Sequence, residues 1–148
     1  MKPSIIILII LASSFSGGYA QPNLVSEAMR SYRYREALEL LNRAPESVEN
    51  QLLKAECYQR LNDFPAALRI YESLTSGKHE SVGILTAAAD CASQAGENEL
   101  SLSYWLKARE LSPDNLYLKS RVAVAYYRAG DWQGTLTAAE EVFRQDSI

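Results

Sequence analysis

The chain has 148 residues, 47% of them hydrophobic and 22% charged, with 15 basic against 18 acidic groups and a formal net charge of -3. That length and balance suit one globular domain rather than a multi-domain enzyme. The absence of a long basic run or of aromatic and basic interleaving excludes the electrostatic footprint of a nucleic-acid binder, and 7 Gly with 5 Pro are too few for a disordered or fibrous chain.

Residues 1–20 read as a secretory signal. Lys2 supplies a short basic n-region, Ile5 to Ala12 an apolar h-region, and Gly18 and Ala20 the small residues around a cut before Gln21. The apolar run is well short of the roughly 20 residues a membrane span requires. The expected product is residues 21–148, exported to the periplasm of a bacterium, with secretion or anchoring by an uncleaved signal as the alternatives. No membrane span is expected in the mature form.

Eight amphipathic helices follow, near 23–31, 34–44, 47–61, 64–76, 81–95, 98–111, 115–129 and 132–145. In the third, Val48, Leu52, Ala55, Tyr58 and Leu61 recur at three- and four-residue steps, which marks one helical face. Glu49, Glu56, Gln59 and Arg60 take the other. Asn62-Asp63, Gly96-Glu97 and Gly130-Asp131 supply turn chemistry, with Gly or Asn suited to a left-handed helix end and Asp63 or Asp131 to capping the next helix. Pro45 ends one helix and Pro65 falls in a tolerant first turn. No segment after the signal alternates with the period of two that a half-buried strand shows.

The helices repeat. Ala55, Ala89 and Ala123 are separated by steps of 34 residues, and the same step relates Cys57 to Cys91, Gly96 to Gly130, and Ala67 through Ser101 to Thr135. A fainter first copy places Ala37 thirty residues before Ala67. The period places Cys57 and Cys91 at equivalent points of successive parallel helices, whose axes lie about 8–10 Å apart, whereas a disulfide needs Cα atoms nearer than about 7 Å. Both are therefore expected to be buried free thiols.

These residues resemble the tetratricopeptide repeat family. The small first-helix position falls on Ala55, Ala89 and Ala123, with Val25 in the weak copy, and the aromatic there on Tyr58 and Tyr126 but Ala92 between them. The turn aromatic is Phe64, Trp132 and Tyr34, with Asn98 departing from the pattern. In the second helix Ala37, Ala67, Ser101 and Thr135 take the small position, Tyr71 and Trp105 the aromatic one, and Ala44, Ala108 and Val142 the last small or apolar one; Pro113 matches the closing proline. The resemblance implies an all-α fold, a right-handed α-solenoid of about four antiparallel helical hairpins over residues 21–148. A lone hairpin cannot bury its apolar face, and stacking hairpins makes one continuous core.

Chemistry is not legible in the chain. His79 is the single histidine and sits in a link, with no Ser or Cys that the sequence pairs with it. One His and two separated Cys do not make a zinc site, and no phosphate-binding or metalloprotease motif occurs. No enzyme activity, cofactor or metal is expected, so a thiol-based or hydrolytic enzyme using Cys57, Cys91 or His79 is the weakest reading.

Surface remains. In this family the first helices line a concave groove that takes a peptide or helix of a partner. The residues expected to form that groove are Glu56, Gln59, Arg60, Asp90, Gln94, Tyr117, Tyr127 and Arg128, with Tyr117, Tyr127 and Arg128 as the best single patch. Glu56 and Asp90 stand where chaperone-binding relatives carry basic and Asn side chains for a C-terminal carboxylate. The function read is thus a non-catalytic protein-protein interaction scaffold. The alternative is a self-associating structural subunit, or a fragment of a larger repeat protein, because the last helix carries Leu136, Ala139, Val142 and Phe143 where a solenoid usually ends in a polar cap. That face would take a second copy, another protein or further repeats.

Overall fold

The helical spacing is realised in a computed structural model that describes residues 22–146; the segment read as a signal lies outside the described residues. Eight helices follow one another: α1 (Pro22–Arg30), α2 (Tyr34–Arg43), α3 (Val48–Arg60), α4 (Phe64–Thr75), α5 (Val82–Gln94), α6 (Asn98–Leu111), α7 (Leu116–Ala129) and α8 (Trp132–Asp146). No strand occurs among the described residues. Each helix packs on its neighbours in sequence, so the described residues form a stack of four antiparallel hairpins, an all-α solenoid of the tetratricopeptide type.

The turns inside the hairpins are built four times on one plan. The N–H groups of Arg33, Asp63, Glu97 and Asp131 donate to the carbonyls of Ala28, Tyr58, Ala92 and Tyr126 at 2.8, 2.8, 2.9 and 3.0 Å. This six-to-one bond closes a helix when the residue before the donor is left-handed. Asn62, Gly96 and Gly130 take that conformation, with φ of 61°, 82° and 78°, as the turn chemistry predicts. The first turn departs from it: Tyr32 takes the position at φ 58°, so the weak copy keeps the geometry with a residue that pays a Cβ clash. Asp63 and Asp131 then cap their helices, accepting from the N–H groups of Ala66 and Gly134 at 3.2 and 2.8 Å. Arg33 and Glu97 make no such side-chain bond.

Small residues let the hairpins close. Ala37, Ala55, Ala67, Ala88, Ala89 and Ala108 are fully buried, and the polar member of the series, Ser101, is satisfied by donating to the Ala89 carbonyl at 2.8 Å. Trp105, Leu85, Leu118 and Val122 form the centre of the larger core. Cys57 belongs to a second cluster with Val25, Ala28, Leu38 and Leu41, whereas Cys91 lies in the larger one. Both cysteines are free and buried.

Candidate functional site

The apolar face of α3 is wider than the neighbouring hairpins cover. Val48 and Leu52 are only half-buried, and with Leu53, Ile84 and Ala87 they wall a groove of about 740 Å³ between α3 and α5. Tyr71 of α4 closes its floor, its hydroxyl donating to Gln59 Oε1 at 2.8 Å. Acidic side chains stand around this apolar floor: Glu49 and Glu56 on α3, Asp90 on α5. No Lys or Arg is among the lining residues.

Four of the residues read from the sequence as a groove therefore come together here: Glu56, Gln59, Asp90 and Gln94. The other four do not line this cavity. Arg60 makes a loose, exposed pair with Glu56 at 3.6 Å. Tyr117 stands edge-on to Trp105, with ring centroids 6.2 Å apart, while Tyr127 stands edge-on to Trp132 at 5.5 Å. Arg128 donates to Ser93 Oγ. Tyr117 and Tyr127 are ten residues apart on one helix, about 15 Å along its axis at 1.5 Å per residue, so they do not form one anchor patch with Arg128. The spacing of helical faces did not reveal this, because it assigns direction and not the neighbour each side chain meets.

The repeat makes the groove intelligible. One period further on, between α5 and α7, the pocket lined by Ser93, Trp105, Arg121 and Arg128 holds only about 10 Å³. Arg121 fills it. Its guanidinium carbon lies 4.6 Å from the centroid of the Trp105 ring, and Nη2 donates to Asp90 Oδ1 at 2.6 Å. The period-related residues in the open groove are Tyr71 for Trp105, Glu56 for Asp90 and Ala87 for Arg121. Gly83 and Gln94 likewise stand where the closed junction has Tyr117 and Arg128. Truncation at two of these three α5 positions, with a shorter neutral side chain at the third, leaves the junction between α3 and α5 open. The sequence signal for this was present in the aligned repeats, in the exchange of Ala87 for Arg121, but its meaning depends on contacts between successive hairpins.

Electrostatics and burial agree with this arrangement. The Tyr71 phenol is pushed up to about 12, first by burial and then by negative charge at Cys91, Glu56 and Asp90. Burial raises the Cys91 thiol to about 11, and burial with the Glu56 charge raises Cys57 to about 11. Such thiols are protonated and inert at neutral pH. His79 is exposed in the link between α4 and α5, whereas both cysteines are buried. Among the described residues no His, Cys, Asp or Glu side chains are grouped to hold a metal ion, and no helix is long and apolar enough to cross a membrane.

No family model and no curated protein matches the chain. Solved structures do match in fold. MamA from MSR-1 superposes with a TM-score of 0.65 at 16% identity, over 83% of this chain and 73% of that one. A further crystal structure of MamA gives 0.70 at 12% identity, over 84% and 75%. Residues 41 to the end of MamA from Desulfovibrio magneticus RS-1 give 0.69 at 12%, over 86% and 77%. At such identities the likeness is one of fold.

Proposed function

We propose that the protein is a non-catalytic interaction scaffold of the bacterial cell envelope that holds a peptide or helical segment of a partner protein in the groove between α3 and α5. The observation that carries this reading is the apolar floor of that groove, left open by Gly83 and Ala87 and ringed by polar side chains. Concave, mostly apolar sites with a few placed polar groups are the usual form of a binding surface. The place in the envelope rests on the signal-like residues 1–20, and amino-terminal sequencing of a periplasmic fraction should find Gln21 first. A full-length mature form would overturn cleavage.

Gly83 offers the test. A Cβ built there meets nothing within 4 Å, so Gly83→Trp fills the groove without disturbing the core. Peptides selected from a displayed library on the purified protein should lose binding to Gly83→Trp, with helical circular dichroism unchanged. Selected peptides that bind both proteins equally would overturn the reading.

Self-association is a second reading, favoured by the last hairpin. In α6, Trp105 and Ala108 are sealed by contact with α7, but the period-related Ala139 is exposed and Val142 half-buried. Around them Tyr127, Trp132 and Leu136 are 59%, 67% and 56% exposed. A concentration series in light scattering should show a dimer that Trp132→Glu converts to monomer. A monomer at every concentration removes this reading.

A further inference from the structure

The closed junction between α5 and α7 is a template for what the open one takes. In the closed junction an arginine guanidinium lies over a buried aromatic ring and pairs with a carboxylate across the hairpins. In the open junction the ring is Tyr71, the carboxylate is Glu56, and the position that would supply the arginine is Ala87. From this juxtaposition, and resting on the groove reading above, we infer that the groove between α3 and α5 selects an arginine-bearing peptide segment, whose guanidinium enters beside Ala87 and pairs with Glu56.

Three further observations favour that occupant. The lining carries three carboxylates and no cation, so a positive side chain is attracted and an acidic one repelled. Asp90 is already engaged by Arg121 at 2.6 Å, which leaves Glu56 and Glu49 as the groove's available charges. The neighbour that competes for Glu56 is Arg60, at 3.6 Å in a pair with both side chains about half exposed, and such pairs contribute little. Arginine fits better than lysine because a planar guanidinium can lie against an aromatic and a carboxylate together. Leu52, Leu53 and Ile84 then receive apolar residues flanking the arginine.

The test uses end-blocked, fluorescein-labelled nonapeptides of alanine and leucine with one central residue, titrated into the purified protein by fluorescence anisotropy. The central residue is arginine, lysine, citrulline or glutamate. The arginine peptide should bind about tenfold more tightly than its citrulline counterpart, and the preference should shrink as salt rises. Glu56→Gln should reduce it to within about twofold, and Ala87→Arg, which supplies the missing guanidinium from the protein itself, should abolish binding; helical circular dichroism checks that both variants fold. If arginine and citrulline peptides bind alike, and Gly83→Trp abolishes both, the groove stands and arginine selection is overturned. If peptides bind Gly83→Trp as well as they bind the parent, both the groove reading and this inference fall.

Discussion

Arg121 is the residue on which the closed junction depends, and its removal is the most informative perturbation. Its guanidinium lies over Trp105, which is 1% exposed. A cation over an aromatic ring contributes about 0.5–2 kcal/mol according to its desolvation. The pair with Asp90 is discounted for exposure of 32% and 45% of the two side chains, and contributes about 0.5–1 kcal/mol. Exposing roughly 40 Å² of the ring would add about 1 kcal/mol. Against these stands Nε, buried without a hydrogen-bond partner, whose removal returns about 1 kcal/mol. Arg121→Ala should therefore cost about 2 kcal/mol in urea unfolding followed by circular dichroism. Arg121→Met, which keeps an unbranched apolar side chain at this position, should cost about half as much. A double-mutant cycle with Asp90→Ala should give a coupling of about 0.5–1 kcal/mol. An Arg121→Ala variant as stable as the parent, or a coupling below about 0.2 kcal/mol, would refute the role assigned to this side chain.

Other variants test the turns and the core. Tyr32→Gly removes a left-handed tyrosine that is 80% exposed, and should raise stability by up to about 1 kcal/mol in the same assay; a loss would mean that the edge contact of Tyr32 with Tyr34 matters more than the strain. At Gly134 a Cβ would come within 2.5 Å of the Tyr126 ring, so Gly134→Ala should destabilise by about 1 kcal/mol or more despite its better helix propensity. Thermal melts of that variant would decide. Cys57 and Cys91 should react with Ellman's reagent only on unfolding, and rapid labelling of the native protein would contradict their burial. Their raised values also predict alkaline sensitivity. The folded state holds its protons more tightly, so this stability is complete below the ordinary thiol value of 9.0 and is lost as pH rises towards about 11, with Tyr71 following between 10.0 and about 12. Urea midpoints that stay level from pH 8.5 to 11 would contradict the burial of all three groups.

Much of the architecture is local in origin. Helix ends fall within a residue or so of their expected places because they are set by short-range chemistry: an Asp that caps three residues ahead, and a Gly or Asn that turns left-handed. Tyr32 shows the limit of that rule, for nothing in its side chain marks a left-handed position, and only the repeat's geometry imposes one. The groove was half legible. Glu56, Gln59, Asp90 and Gln94 were found from helical faces, whereas Leu52 and Val48, on the apolar face of α3, both pack against the core and wall the groove. Tyr117, Tyr127 and Arg128 share a helix and yet serve separate contacts.

The 34-residue period by itself determined that the chain is a stack of helical hairpins with small residues at the closest approaches, since periodicity and capping act within a few residues of each position. Whether a space between hairpins is open or filled was decided only by the tertiary structure. It depends on side chains such as Asp90 and Arg121, or Ser93 and Arg128, that meet across 31 and 35 residues of sequence. A long cation at one α7 position seals its junction, and an alanine at the equivalent α5 position leaves the other free, because the backbone repeats while the reach of the side chain does not.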